Sequence, residues 1–377
     1  MIKRLLHTPE GVRDIYNEEC ERKLWLQSTL HEVLHSYGYR DIETPTFEYF
    51  DVFSHDVGTI PSNELYKFFD REGNTLVLRP DITPSIARAV AKYFSEDAGT
   101  IRLCYEGQTF INNSSYQGRL KESTHLGAEM IGEDNPQADA ESIAMVVDCL
   151  KRAGLEEFQI SIGQVEFYKS IVKDILMDEE TENELKDFIS NRNIFGVETL
   201  LSNLEIGDTA KETLLSLPSL YGSVDVLDRA EKLAFNDGAK EAVSRLKEVY
   251  KILEYYGITR YISFDLSMLS RYNYYTGIFF RGYTFGTGDA VVKGGRYDNL
   301  LRHFGKNAPS IGFVVVIDQL LSAIFRQNIM LPSERKIVQV KYTKETQKEA
   351  ISHAQKMRAE GKAVALYLDR GDREETK

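Results

Sequence analysis

The run His31-Glu32-Val33-Leu34-His35 contains the residue types of a zinc hydrolase. Two histidines four residues apart share one face of a helix and could bind Zn²⁺, and Glu32 could then act as a general base. The run continues through Gly38 to Asp41, close to an extended zinc-protease pattern, although the third ligand position of that pattern holds Asp41 and not a histidine. A zinc metalloprotease is therefore one alternative for this sequence.

An ordinary amphipathic helix explains the same residues. Leu26, Leu30, Val33 and Tyr37 recur at helical spacing within 18–37, and the two histidines flank this apolar face. A motif with three fixed positions becomes a metal site only when its structural context confirms it. We therefore favour a packing helix, and we predict a protein with no catalytic residues, no bound metal and no cofactor.

The composition excludes several classes of protein. The chain has 377 residues and a formal net charge of −12, whereas a tRNA or DNA binder usually has a basic surface. Cys20, Cys104 and Cys149 are odd in number and far apart, which is typical of reduced thiols in a cytosol. The first residues lack the apolar run of a signal peptide, and no apolar run is long enough to cross a bilayer. We expect a cytoplasmic protein that binds neither tRNA nor a membrane.

Hydrophobic periodicity divides the chain into two domains. Residues 1–330 are predicted to alternate helices and strands, with a helical, acidic, leucine-rich insertion at about 170–258. Residues 331–377 are predicted to form one βαβ unit, with strands at 336–342 and 363–369. Such a short piece builds no independent core easily, so it either packs on the main body or is a remnant of a truncated domain.

Several sequence blocks, in order along residues 8–325, resemble the catalytic domain of class II histidyl-tRNA synthetases. The blocks are 8–14, 37–45, 78–83, 102–132, 273–277, 294–298 and 310–313. One block alone would be a weak signal, whereas the ordered set is specific. The resemblance implies an α+β fold with an antiparallel sheet flanked by helices, and a dimer formed through the motif 1 region at 37–45.

The departures from this family concern ATP chemistry. In the family, motif 2 places an arginine and a glutamate where this chain has Ile111 and Asn113. The motif 3 arginine is replaced by Gln319, and the arginine of the histidine signature by Ser270, with Arg271 adjacent. Removing one such electrostatic contact typically costs about 2.7–4 kcal/mol of transition-state stabilisation. The pattern predicts a synthetase fold that has lost aminoacylation.

A synthetase-like chain without these arginines resembles the regulatory subunits of ATP phosphoribosyltransferase. The resemblance implies a non-catalytic protein that activates the short-form catalytic subunit and relays feedback inhibition by histidine in the first step of histidine biosynthesis. Besides this regulatory function and the zinc metalloprotease, two further alternatives stay open. They are an active histidyl-tRNA synthetase and a stand-alone histidine-binding sensor.

The resemblance also implies a histidine-binding pocket. By motif position, its residues are Asp81, Thr83, His125, Glu129, Tyr274, Tyr275 and Tyr297. Asp81 and Thr83 occupy positions that bind the amino group in the family, and Glu129 with the tyrosines occupies positions that recognise the ammonium and imidazole groups. His125 replaces a glutamine of the family, and Lys293 stands where a small residue is expected. The tyrosines have the simpler alternative of packing alone.

Overall fold

A computed structural model of the chain describes residues 6–53, 60–97, 99–113, 120–269, 275–332 and 336–369. The predicted positions Ser270 and Tyr274, and the neighbouring Arg271, lie outside the described residues. The chain divides into two compact units. The first comprises residues 1–14 and 26–331, and the second comprises residues 15–25 and 332–377.

The structure contains fourteen strands in its described residues. They are β1 (Arg40–Asp41), β2 (Phe47–Tyr49), β3 (Lys67–Phe69), β4 (Thr75–Leu78), β5 (Ile101–Phe110), β6 (Glu122–Ile131), β7 (Phe158–Gln164), β8 (Tyr221–Gly222), β9 (Ile262–Asp265), β10 (Ile278–Thr284), β11 (Val292–Arg296), β12 (Ser310–Val316), β13 (Val338–Tyr342) and β14 (Val364–Leu368).

Eleven α-helices accompany these strands in the described part of the chain. They are α1 (Asn17–Ser36), α2 (Thr83–Tyr93), α3 (Pro136–Arg152), α4 (Val165–Val172), α5 (Glu179–Ser190), α6 (Ile194–Ser202), α7 (Asp208–Ser216), α8 (Asp225–Leu233), α9 (Asp237–Tyr255), α10 (Ile317–Arg326) and α11 (Gln347–Ala359). No described helix is both long and apolar enough to span a bilayer.

The first unit is built on one nine-stranded sheet with the order β1-β5-β6-β12-β11-β10-β7-β9-β8. Its neighbouring strands are antiparallel except for the pairs β1–β5 and β7–β9, which are parallel. Along β6, successive side chains alternate between the two faces, so His125, Gly127 and Glu129 share one face. Helix α3 packs against β7, β11 and β12, and α9 packs against α3 and β7.

Local signals explain where the helices begin. Asn135 caps α3 by accepting a hydrogen bond from the backbone N–H of Ala138 at 2.8 Å, and Pro136 suits the first turn. In the helical segment α5–α9, the side chains of Asp178, Asn193 and Asn236 make the same capping contact to the third residue beyond them. These caps satisfy backbone donors that the helix itself leaves without partners.

A smaller sheet of three antiparallel strands has the order β2-β4-β3. From the sequence around Thr44 and Pro45, one extended strand is expected over 39–53. The structure instead divides this stretch into β1, β2 and a 3₁₀ helix at Phe50–Phe53, where Val52 and Phe53 are buried. Phe47, Tyr49 and Phe69 remain exposed on the small sheet.

In the second unit, β13 and β14 pair in parallel and α11 connects them. Ala350 and Ala354 are the buried residues of α11. Small side chains at these positions let the helix lie close to its strands.

Candidate functional site

Glu129 is a carboxylic acid buried in the middle of the nine-stranded sheet. Its side chain projects from β6 with only 1% of its surface exposed. It accepts hydrogen bonds from the hydroxyl of Thr83 at 2.8 Å and from the hydroxyl of Tyr297 at 2.5 Å. Helix α2 supplies the first donor and the residue after β11 the second, so three parts of the sequence meet at one carboxyl group.

A glycine on the adjacent strand makes room for this acid. Gly312 of β12 lies opposite Glu129, and a Cβ at Gly312 would lie 1.6 Å from Oε2 of Glu129. Gly127 leaves similar space, because a Cβ there would lie 2.5 Å from the hydroxyl oxygen of Tyr105. The glycine of the 310–313 block is therefore required by the acid beside it.

Burial gives Glu129 an unusual protonation state. The loss of solvation raises the pKa of its carboxyl to about 8, the negative charge of Asp81 adds to the rise, and the hydrogen bonds from Tyr297 and Thr83 oppose it. Burial also raises the pKa of Tyr275 far above its ordinary value. Glu129 is therefore mainly neutral at pH 7, and a cation placed beside it would favour ionisation.

Asp81 lies at the start of α2 and borders the same cavity. Its Oδ1 accepts from the backbone N–H of Ile82 at 2.7 Å and of Thr83 at 3.3 Å, so one carboxylate oxygen is engaged by the helix N-terminus. The described cavity walls include Asp81, Thr83, Glu129, Tyr275, Lys293 and Tyr297. The structure thus brings together five of the seven predicted pocket residues.

The cavity is small. Its volume is about 50 Å³, whereas small-molecule sites are usually about 300–1,000 Å³. Among the described residues of the wall, Lys293 is the exposed one: its side chain is 45% exposed, and its ammonium lies 3.5 Å from a carboxylate oxygen of Asp289. Motif positions in the sequence point to five of the wall residues, whereas the volume of the cavity depends on packing and cannot be read from the sequence.

His125 projects from the same face of β6 as Glu129, farther along the strand. It is not among the described residues that border the cavity, and along β6 it lies four residues, or about 13 Å, from Glu129. Its Nε2 lies 3.3 Å from the hydroxyl oxygen of Thr109, and its Nδ1 is buried without a hydrogen-bond partner in the described structure. Burial, together with the positive charge of Lys293, lowers the pKa of His125 to about 4.

Comparison with known sequences identifies the family. A family model for histidyl-tRNA synthetase matches residues 11–320. The ATP phosphoribosyltransferase regulatory subunit of Acetivibrio thermocellus is 40% identical over 97% of this chain and 88% of its own length. That of Clostridium acetobutylicum is 37% identical over 98% of this chain and 91% of its own. The chain belongs to the family of ATP phosphoribosyltransferase regulatory subunits.

Solved structures agree with this family. The crystal structure of an ATP phosphoribosyltransferase regulatory subunit/histidyl-tRNA synthetase from Bacillus halodurans is 34% identical, with a TM-score of 0.88 over 98% of this chain and 95% of that one. Apo histidyl-tRNA synthetase from S. aureus is 22% identical, with a TM-score of 0.67 over 97% of this chain and 84% of that one, and shows the shared fold. The predicted family and class II synthetase-like fold are confirmed.

By motif position, Ile111 and Gln319 stand where the synthetase family has arginines, and Asn113 stands where it has a glutamate. The backbone N–H of Ile111 donates to the carbonyl oxygen of Lys121 at 2.9 Å. The amide nitrogen of Asn113 lies 3.5 Å from the carbonyl oxygen of Leu120, and Gln319 lies in the first turn of α10. None of these three side chains can neutralise a phosphate.

Arg79, from the 78–83 block, is occupied by the fold. It is buried and donates to the carbonyl oxygens of Thr44 and Gln108, each at 2.8 Å. Gly107 provides the space, because a Cβ there would lie 2.1 Å from Nη2 of Arg79. Arg79 therefore joins three segments of backbone and does not serve as a phosphate-binding group in this arrangement.

The two histidines of the zinc-protease pattern project from α1 toward β1. His31 and His35 both contact Asp41, while Glu32 is exposed. With Asp41 they form a hydrogen-bonded cluster. This cluster and the Glu129 cavity have no described residue in common.

The raised pKa of Glu129 predicts a pH-dependent stability. Because the folded pKa of about 8 exceeds the ordinary 4.5, this group stabilises the fold fully below pH 4.5, and that contribution is lost as the pH rises through 8. In Glu129→Gln, the amide oxygen can accept from one of the hydroxyls of Thr83 and Tyr297, and the amide NH2 can donate to the other. Between pH 4.5 and 8 the wild type therefore loses stability as the pH rises, whereas the variant does not. We expect the free energy of unfolding of the variant, relative to wild type, to rise by about 1.4 kcal/mol per pH unit in the middle of this range.

Urea denaturation at several pH values between about 5 and 8 measures this difference. Glu198→Gln, at an exposed position, is the matched control and should show a constant difference from wild type. A constant difference for Glu129→Gln as well would contradict the raised pKa.

Proposed function

We propose that this chain is the non-catalytic regulatory subunit that assembles with the short-form catalytic subunit of ATP phosphoribosyltransferase, activates it and relays inhibition by histidine. The observation that carries the proposal is the contrast between two sets of side chains. The amino-acid cavity keeps its acids and hydroxyls around Glu129, whereas by motif position Ile111 and Gln319 stand where adenylation needs arginines and Asn113 where it needs a glutamate.

Free histidine is the ligand that this cavity fits by chemistry. An ammonium group needs acceptors, which Asp81, Glu129 and the hydroxyl of Thr83 offer within one cavity. Tyr275 and Tyr297 offer hydroxyl groups to an imidazole, and Lys293 could pair with the ligand carboxylate. Because the cavity of about 50 Å³ is smaller than an amino acid needs, binding requires a wall such as the Lys293 side chain to move.

This movement supplies a physical route to regulation. A ligand shifts a protein between states only by binding one state more tightly than the other. In our proposal, the closed cavity belongs to the activating state of the complex. The widened, histidine-bound cavity belongs to the inhibited state, and by linkage the catalytic state also weakens histidine binding.

The dimer is proposed through the motif 1 region and the small sheet beside it. Three exposed aromatic side chains share one face of that sheet, Phe47 at 51%, Tyr49 at 57% and Phe68 at 37%, and the rings of Phe47 and Phe68 are in contact. An adjacent groove of about 760 Å³ runs past Pro45, Tyr49 and Tyr93. Contiguous exposed aromatics of this kind usually mark an interface, and a second copy of this chain is the proposed occupant.

A location in the cytoplasm and the absence of tRNA binding complete the proposal. All three cysteines are free, which suits a reducing compartment. The net charge of −12 disfavours a polyanionic partner. A stand-alone histidine sensor remains the second candidate, and it would bind histidine without binding a transferase subunit.

Reconstitution tests the main proposal. We expect the short catalytic subunit of the same organism to form phosphoribosyl-ATP at an appreciable rate only when this chain is added, and histidine to reduce that rate. Pyrophosphate exchange with histidine and ATP should stay at the background rate. Catalytic activity indifferent to this chain would contradict the proposal, and stimulated exchange would favour an active synthetase.

Calorimetry tests the pocket by itself. Since an ammonium group favours the ionised form of Glu129, histidine binding should release a proton at pH 7 and tighten as the pH rises toward 8. Asp81→Ala and Tyr275→Phe should each weaken binding by about tenfold or more, the loss of one hydrogen bond to a charged or polar ligand group. Unchanged affinity in both variants, with Glu198→Gln as control, would reject this pocket.

Two substitutions test the proposed dimer, one at an exposed aromatic residue of the small sheet and one at an exposed aromatic residue elsewhere on the first unit. Phe47→Asp places a charge in the proposed interface and should convert the dimer to monomer in light scattering after size exclusion. Phe285→Asp, at a residue that is 78% exposed after β10, is the matched control and should remain dimeric. A dimer in both variants would place the interface elsewhere.

A further inference from the structure

Four side chains with metal-binding atoms converge beside the end of α1. They are His31 and His35 from that helix, Asp41 from β1 and Cys104 from β5. Each offers one ligand atom, and all four atoms lie within 4.8 Å of one another. The four residues belong to the first unit and none of them takes part in the Glu129 cavity.

The fold explains why these residues meet. His31 and His35 are one helical turn apart, so their rings project from one face, with centroids 4.6 Å apart. Asp41 and Cys104 are direct partners in the parallel pair of β1 and β5. Partners in a strand pair point to the same face of the sheet, so the carboxylate and the thiol both face the two imidazoles.

The two distances from the sulfur match those of a tetrahedral metal site, and the imidazole–carboxylate distances are the shorter ones of hydrogen bonds. Zinc bonds of about 2.0–2.3 Å place tetrahedral ligand atoms roughly 3.3–3.8 Å apart. Here Sγ of Cys104 lies 3.7 Å from Nε2 of His31 and 3.5 Å from Oδ1 of Asp41. Nε2 of His35 lies 3.1 Å from Oδ2 of Asp41, and Nε2 of His31 contacts Oδ1 of the same carboxylate. Only small shifts would be needed to enclose an ion.

The donor set is chemically selective. Two imidazoles and a thiolate suit Zn²⁺ and other late transition metals, whereas Mg²⁺ and Ca²⁺ prefer oxygen ligands only. The burial of Cys104 leaves one side of the cluster dry, and the side chains of His35 and Asp41, which are 47% and 61% exposed, leave the other side open to an arriving ion.

We propose that His31, His35, Asp41 and Cys104 bind one Zn²⁺ ion in a closed, four-coordinate structural site. Four protein ligands leave no position for a catalytic water, in contrast to the three-ligand sites of zinc hydrolases. Glu32 is exposed and is not one of the four donors, so the site does not use the general base of the protease pattern. The ion would join α1 to the β1–β5 edge of the sheet.

Proton release accompanies binding at this site. Burial raises the pKa of the Cys104 thiol to about 12, and the adjacent charge of Asp41 contributes to the rise. The metal-free thiol is therefore protonated and donates to Asp41. A divalent cation reverses this balance and deprotonates the thiol, so one proton leaves as the sulfur–zinc bond forms.

Metal titration of the full-length, untagged protein tests the site. After chelator treatment, we expect one equivalent of Zn²⁺ to bind and to raise the temperature of thermal unfolding, while Mg²⁺ and Ca²⁺ do neither. Cobalt(II) in place of zinc should give the visible bands of a tetrahedral ion and a near-ultraviolet thiolate-to-metal band. Cys104→Ser should lose the thiolate band, and His35→Gln should weaken zinc binding by more than about 100-fold.

Matched controls separate the site from general metal binding. Cys20→Ser and His303→Gln alter a cysteine and an exposed histidine outside the cluster and should keep full zinc affinity. Glu32→Gln should also bind zinc normally. If Cys104→Ser fails to fold, the exposed positions His35→Gln and Asp41→Asn decide the question through zinc affinity.

Three results would overturn the proposal. The first is wild-type protein that binds no stoichiometric zinc, which would leave the four residues as a metal-free cluster in which both histidines share Asp41. The second is zinc affinity that survives both His35→Gln and Asp41→Asn. The third is a cobalt spectrum without a thiolate band, which would remove Cys104 from the site.

Discussion

A buried ion pair between Arg296 and Asp139 holds the sheet, the helices and the site in one arrangement. Arg296 donates from Nη2 to Oδ1 of Asp139 at 2.6 Å, and Arg245 of α9 donates from Nε to the other carboxylate oxygen at 2.7 Å. Asp139 has no exposed surface. Breaking such a pair by removing one partner costs about 3–5 kcal/mol. The residue after Arg296 is Tyr297, so the same ion pair sets the position of the hydroxyl that reaches Glu129.

The burial of Glu129 is unfavourable for stability, and this is a reason to regard it as functional. A carboxyl group with a pKa near 8 makes the fold less stable at neutral pH than at acid pH, and Gly312 lacks a side chain where Glu129 needs the room. Strain of this kind persists where a ligand benefits from it. In our proposal, Ile111 and Gln319 replace arginines that act on ATP, while Glu129 is kept as the acid that meets an ammonium group. This combination suits a protein that senses an amino acid and does not activate it.

Local sequence signals predicted most helices and the long strands, because amphipathic periodicity and capping residues act over a few positions. They missed the separate strands β2 and β3 and the parallel pairs β1–β5 and β7–β9, which join residues far apart in the chain. Motif position assigns His125 to the pocket, and this stays a prediction. Only the register of the sheet shows that His125 shares a face of β6 with Glu129 and lies four residues along the strand from it.

The sequence by itself determined the family, through the ordered blocks and the arginines missing from them. Both can be read from residue types alone, because the positive charge of an arginine is a property of the residue and not of the fold. It also presented His31 and His35 as a pair at helical spacing. Only the tertiary structure brought Asp41 and Cys104 to that pair, because their strand pairing joins segments more than sixty residues apart. The cavity volume and the neutral state of Glu129 were likewise decided by packing, since both depend on what surrounds a group in space and not on its neighbours in sequence.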